Sequence, residues 1–265
     1  MKKRFVKYLI LMACTAVLLL TGTVTYYYIK WRPLWQREEP LPAYQVMQHH
    51  DDTLRVIFVG DSWVGMRQAT ADSSLQMRLA SQTGQPVKIC SSGRGGAKSR
   101  DIYRLMFETG EYGTKPLIAN GPNYCVISAG INDAAANLGT DQYVHHVRLM
   151  IDLLCRQGIR PILLEAPDIN IWTIYGSKPV KDLLADYAKS CMTGCGMYRY
   201  ADYREALERL TEDGKRVLVI PVRDWNGEHL APSPVLFLND SIHLNDRGYE
   251  RLDSCIAATI ARDLE

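Results

Sequence analysis

The chain has 265 residues, 47% of them hydrophobic and 23% charged, with a formal net charge of +2 at pH 7. That balance suits a globular protein of one ordinary or one large domain. The charge is unevenly placed: residues 1–39 carry seven Lys/Arg against two acids, leaving residues 40–265 at a net −3, which excludes an electrostatic footprint for nucleic acid.

In chain order, residues 8–29 ("YLILMACTAVLLLTGTVTYYYI") come first, uncharged and mostly apolar over the roughly 20 positions that a helix needs to cross a bilayer. Lys2, Lys3, Arg4 and Lys7 precede the run, and Lys30 and Arg32 follow it with Glu38 and Glu39 close behind. The heavier basic flank belongs in the cytoplasm, so residues 1–7 read as a cytoplasmic tail and the chain after the span as exported. Three tyrosines and Trp31 form an aromatic belt at the far end. A cleaved signal peptide is the alternative, but no small-x-small site follows the run. "LMAC", ending at Cys14, loosely resembles a lipobox, yet apolar residues continue past it. An uncleaved signal anchor is the better reading.

Residues 30–52 mix prolines and charges without periodicity and read as a linker. His49-His50-Asp51-Asp52 within it could be drawn as metal ligands; a solvated turn is the simpler account. From residue 53 onward, short apolar runs alternate with helical patterns. Candidate strands are 54–60, 86–90, 124–130, 160–166 and 215–222, Val/Ile-rich and nearly continuous, as strands covered on both faces are. Candidate helices cover 66–83, 98–109, 141–157, 179–190, 202–212 and 246–263. In the third, Val144, Val147, Ile151 and Leu154 form one stripe and Gly158 is a stop. Strand–helix alternation predicts a parallel sheet between helical layers, with ligands beyond the carboxyl ends of the strands.

The reactive-looking residues fall at those ends. Ser62 follows the first strand in "VGDSWVG" and precedes a helical segment, a place for an exposed nucleophile, although Asp-Ser in a turn is also a plain cap. It is not the G-x-S-x-G elbow, because Val64 stands where glycine is needed. After the second strand, "SSGRGGAKSRD" (91–101) invites a phosphate reading, but Ala97 precedes Lys98 where a P-loop needs glycine, and Lys98 takes the third glycine position of a dinucleotide fingerprint. Its amides remain free for another anion. Asn132 closes the third strand and can donate to an oxyanion, or simply make a turn. Asp240 and His243, three apart, suit a carboxylate that holds Nδ1–H and leaves Nε2 as base; a capped turn with an ordinary histidine is the alternative.

Taken in order, "GDSW", the glycine loop, "GIND" and "DSIHLN" resemble the blocks of the SGNH (GDSL-type) hydrolase/esterase family over roughly residues 54–250. The resemblance implies an α/β fold: a three-layer α/β/α sandwich with a five-stranded parallel, flavodoxin-like sheet, here spanning residues 53–265 behind the membrane helix. It implies Ser62 as nucleophile, His243 as base, Asp240 as its acid partner, and Gly96 and Asn132 as oxyanion donors. In the second block Ser91 replaces the family's asparagine, which leaves Gly93 as the alternative donor. Arg94, Lys98, Arg100 and Arg104 nearby read mainly as a solvated face, with a bias toward acidic substrates as the sharper alternative.

The implied chemistry is acyl transfer through a serine ester, with no cofactor, metal or nucleotide. A membrane-anchored extracytoplasmic esterase acting on an ester, foremost a short O-acyl group such as acetyl on a glycan, is the leading expectation. Trp172 and Trp225 sit in loops expected to rim the site ("PDINIWTIYGS" and "RDWNGEHLAPSP"), as sugar platforms or as packing residues. An O-acyltransferase working with a membrane acyl-donor partner, and a non-catalytic glycan-binding or assembly domain, are the alternatives. Among the cysteines, Cys90, Cys125, Cys155 and Cys255 read as buried thiols, while Cys191 and Cys195 could pair in an oxidising compartment.

Overall fold

A computed structural model describes residues 2–174, 178–212 and 217–265. It separates into two units, Met1–Glu39 and Pro40–Glu265. The first is helix α1 (Lys2–Trp31) with a 3-10 turn at Arg32–Leu34. Its large apolar side chains stand exposed, Leu18 at 73% and Met12 at 66%, which costs free energy in water and none in lipid. Hydroxyls of Thr15, Thr21 and Thr23 donate to the carbonyls four residues back, so none is left unpaired in an apolar medium. By length and composition this helix can cross a membrane, with a mean hydropathy of 2.0; a signal sequence would pass the same test.

The second unit is a five-stranded parallel sheet of β1 (Leu54–Gly60), β2 (Val87–Gly93), β3 (Tyr124–Ser128), β4 (Arg160–Leu164) and β5 (Leu218–Ile220), in the order β2-β1-β3-β4-β5. The helices in chain order are α2 (Ser62–Gly65), α3 (Ala69–Thr83), α4 (Ser99–Leu105), α5 (Lys115–Ala119), α6 (Ile131–Ala135), α7 (Thr140–Arg156), α8 (Ile171–Ile174), α9 (Val180–Thr193), α10 (Tyr200–Glu212), α11 (Val222–Asn226) and α12 (Asp246–Leu264). One face of the sheet carries α3 and α12, the other α4, α7 and α10. Val56, Phe58, Val126 and Ile162 are therefore buried, as a sheet covered on both sides requires. On α7 the expected stripe points inward: Val147, Ile151 and Leu154 are buried and Val144 half-buried, and Gly158 at φ +75° ends the helix.

Several boundaries differ from the sequence reading. β2 runs on to Gly93 instead of stopping at Cys90, because Ser91, Ser92 and Gly93 pair in register with Phe58, Val59 and Gly60. Polar residues there complete a ladder that apolar patterning does not announce. β3 and β4 end two residues early, at Ser128 and Leu164. β5 is only Leu218–Ile220; Lys215 and Arg216 of the expected strand lie outside the described residues, as do Tyr175, Gly176 and Ser177 of the Trp172 loop. Residues 40–52, read as linker, have no helix or strand but are held to the domain. The Leu41 amide donates to the Tyr103 hydroxyl, and the Tyr44 hydroxyl to the Met106 carbonyl.

Cys191 and Cys195 are both free thiols. Cys191 sits on α9, whereas Cys195 follows the left-handed Gly194 and accepts from the Thr140 amide. Cys125 is buried, but Cys90, Cys155 and Cys255 are only half-buried. The His49 ring contacts the Asn120 carbonyl and Asp51 pairs with Arg55; among the described residues no group of three His, Cys, Asp or Glu could hold a metal ion.

Candidate active site

The sheet order reverses between β1 and β3, and in such a sheet the crevice beyond the carboxyl ends at this point is where ligands bind. Ser62, the first residue of α2, stands at the end of β1. Asp61 caps the turn: its carboxylate accepts from the Trp63 amide at 3.0 Å and from the Ser128 hydroxyl of β3 at 2.9 Å. Complete burial pushes the Asp61 carboxyl up to about 6, against the pull of these two donors. α2 is a single turn, so a helix dipole contributes little at Ser62, contrary to what a longer helix here would have supplied.

His243 reaches Ser62 from the loop before α12. Its Nε2 lies 3.0 Å from the Ser62 Oγ and its Nδ1 2.6 Å from Asp240 Oδ2. A carboxylate only accepts, so Nδ1 carries the proton and Nε2 is left to accept from the serine hydroxyl. Asp240 Oδ1 meanwhile accepts from the amides of Ile242 and His243. Partial burial raises its pKa, but these amides and the imidazole outweigh it and hold the carboxyl below its ordinary value. Between the two residues Ser241 adopts φ +55°, which folds the short loop back so that the carboxylate meets its own neighbour's ring.

Ser62, His243, Gly93, Gly96 and Asn132 all line one open cleft of 550 Å³. The two candidate glycines differ in what requires them. At Gly93 a Cβ would stand 2.6 Å from the Asp61 carbonyl and the Gly65 amide, so glycine lets β2 pack against the nucleophile turn. At Gly96 nothing crowds a Cβ; the φ of +73° is the constraint, and it turns the loop. Asn132 does not close β3, which ends at Ser128, but is the second residue of α6; it donates its side-chain amide to the Ala97 carbonyl at 3.0 Å, which ties it to that loop. Asp133 fixes the loop from behind, accepting from both the amide and the hydroxyl of Ser99. Ser91 does not stand in for an asparagine: its hydroxyl donates to Asp72.

The residues that join these parts carry little local signal in the sequence. The Trp63 indole N–H donates to the Ile242 carbonyl at 2.9 Å, next to His243, and the Tyr249 hydroxyl donates to the Trp63 carbonyl. The same indole packs edge-on against Trp225 and Phe237. Only the fourth letter of "GDSW" hinted at this, and nothing in its spacing named a partner 179 positions away. Of the two readings of Trp225, packing holds and the rim platform does not: it is 1% exposed and belongs to this aromatic cluster. Trp172 is 51% exposed, beside Tyr198. Of the basic residues near the loop, Arg94 pairs with Asp101.

Trp63→Phe keeps an aromatic ring and removes the indole N–H. It is expected to lower kcat by about tenfold, the equivalent of one hydrogen bond, with KM nearly unchanged. Steady-state kinetics on 4-nitrophenyl acetate beside a thermal melt check this. A change in KM alone would mean that the indole does not hold the histidine loop in register.

Residues 58–251 match the family model for GDSL-like lipases and acylhydrolases. No protein of curated function matches the chain by sequence. Among solved structures, the chain is similar to a G-D-S-L family lipolytic protein from Desulfitobacterium hafniense, at 15% identity and a TM-score of 0.56 over 77% of this chain and 98% of that one. It is similar to the psychrotrophic esterase EstA from Pseudoalteromonas sp., at 14% identity and a TM-score of 0.55 over 81% and 99%. A mutant of an acetyl-xylooligosaccharide esterase from Geobacillus gives 16% identity and a TM-score of 0.55 over 78% and 94%. At these identities the likeness is one of fold.

Proposed function

The chain belongs to the GDSL-like lipase/acylhydrolase family, and from that premise we propose that it is a membrane-anchored, extracytoplasmic serine esterase removing a short acyl group, foremost O-acetyl, from a glycan. The observation that carries this reading is the relay Asp240–His243–Ser62, with its 2.6 Å and 3.0 Å contacts, at the carboxyl end of the sheet.

In the mechanism, His243 Nε2 takes the Ser62 hydroxyl proton as Oγ attacks the ester carbonyl. The oxyanion is met by the amides of Gly96 and Ser62 and by the Asn132 side chain; one such donor contributes about 3 kcal/mol to the transition state. Collapse breaks the ester C–O bond, and the departing alkoxide takes the proton from His243. Water, deprotonated by the same imidazole, then attacks the serine ester and releases the acid, which restores Ser62. Asp240, held ionised, keeps the ring oriented and supports its charge in each step. Gly65, Gly93, Gly95 and Gly96 make a low wall beside Ser62, which supports a short acyl group.

Residues 8–29 serve as an uncleaved anchor, with residues 1–7 in the cytoplasm and 53–265 as the catalytic domain. The basic cluster before the span supports that orientation. The experiment that tests the function is incubation of the full chain, in detergent, with an O-acetylated oligosaccharide. Free acetate and a loss of acetyl mass from the glycan are expected; a gain of acyl mass on an unacylated acceptor would instead make it a transferase. For topology, a phosphatase fused after Glu265 is expected to be active and a cytosolic fluorophore in its place dark. The reverse pattern would place the domain inside the cell.

A further inference from the structure

A second groove, of 560 Å³, lies between α3 and α12. Met66 lines both this groove and the Ser62 cleft, so one exposed, flexible side chain divides them. The histidine loop divides them too: Ile242 and His243 face the Ser62 cleft, whereas Leu238, Leu244 and Asn245 face the groove. The Leu238 amide donates to the His243 carbonyl at 2.7 Å, which keeps the groove's edge in register with the base.

We propose that this groove is the subsite for the alcohol part of the ester, and that it takes a neutral, hydroxyl-rich chain such as an oligosaccharide. The proposal rests on the reading of Ser62 as nucleophile and His243 as its base. His243 must return its proton to the departing oxygen, so the alcohol has to leave on the histidine side of Ser62. The groove meets the cleft at Met66 and is lined by Leu244 and Asn245, the two residues after His243, so it lies on that side. The glycine-walled side is left for the acyl group.

The lining selects the class of ligand. From α3 come Thr70, Ser74 and Arg78, with Gln68 just before its first turn, and from α12 Asp246 and Glu250. The side chains of Gln68, Thr70, Ser74, Asp246 and Glu250 make no hydrogen bond to any described residue, so their donors and acceptors are open to a ligand. A fatty chain laid over them would strip water from these groups and return no hydrogen bonds. An anionic ligand would meet Asp246 and Glu250 against Arg78 alone, since Asp253 is already paired with Arg67. A hydroxyl-rich chain both donates to the carboxylates and accepts from Gln68 and Arg78. Met66 and Leu238, 44% and 41% exposed, offer apolar surface for its C–H faces.

The test separates binding from turnover. Full-length Ser62→Ala protein in detergent is titrated by calorimetry with O-acetylated xylo-oligosaccharides and cello-oligosaccharides. Saturable binding is expected. Adding Ser74→Trp, which fills the groove from α3, is expected to weaken it at least tenfold, and adding Glu250→Ala several-fold, each with an unaltered thermal melt. With Ser62 restored, Ser74→Trp should lower the ratio of kcat/KM on the acetylated oligosaccharide to that on 4-nitrophenyl acetate at least tenfold, through KM. No binding of either glycan, or binding that both groove variants leave unchanged, overturns the subsite. Glycan binding that the groove variants abolish, in a wild type that hydrolyses no ester, overturns the esterase reading and keeps the groove.

Discussion

Ser62→Ala is expected to reduce ester hydrolysis by roughly 10⁴- to 10⁶-fold, and His243→Ala by a similar factor, with the fold intact in both. Among the described residues the Ser62 hydroxyl has one partner, the His243 ring, so its removal leaves no buried polar atom stranded. The turn itself is kept by Asp61, whose carboxylate holds the Trp63 amide and the Ser128 hydroxyl. Asp240→Asn differs in kind. An asparagine oxygen can still cap the amides of Ile242 and His243, but its NH₂ would face Nδ1 and favour the wrong tautomer, at a cost of roughly 10⁴ in kcat. The three variants are compared with wild type by initial rates on 4-nitrophenyl acetate, circular dichroism, and labelling with a fluorophosphonate. Wild-type turnover in purified, folded Ser62→Ala would end the serine-ester mechanism.

Arg67→Ala is expected to cost about 3–5 kcal/mol of stability, the typical penalty for breaking one side of a buried ion pair. For a domain of this size that is a fall in Tm of about 10 °C. The Arg67 side chain is 2% exposed and donates twice to Asp253 on α12, at 2.8 and 2.9 Å, and once to Asp72 on α3. Asp72 in turn accepts the Ser91 hydroxyl, and the guanidinium lies 4.3 Å from the Phe58 ring centroid. One cation thus fastens the two helices of that face to the sheet, directly behind Met66. Burial pushes the Asp253 carboxyl up, and Arg67 supplies the main opposing pull. Without that pull its folded pKa rises further above the unfolded value. Stability of the variant is then retained at low pH and lost as pH rises through the folded pKa, so its deficit should be larger at pH 8 than at pH 5. Thermal melts at the two pH values check the sign. Arg67→Met combined with Asp253→Leu should recover part of the loss, because no unpaired Asp253 charge remains buried; a double variant worse than Arg67→Ala would assign the effect to packing instead.

The parallel sheet, the apolar first helix and the end of β1 at which Ser62 lies were legible in local patterning. Continuous Val/Ile runs mark strands buried on both faces, and a short reach of chain is enough to read them. Asp240 and His243 were legible for the same reason, since their contact spans three residues. The remaining contacts join partners far apart in the chain. Arg67 meets Asp253 across 186 positions, and the Trp63 indole meets the Ile242 carbonyl across 179. Trp225 looks like a rim residue in "RDWNGE" until Trp63 and Phe237 close over it. β2 runs past Cys90 because the end of β1 offers it a ladder, which polar Ser91 and Ser92 do not advertise. Local patterning records which way a residue faces along its own strand or helix; the side chain it meets there is set only when the layers pack.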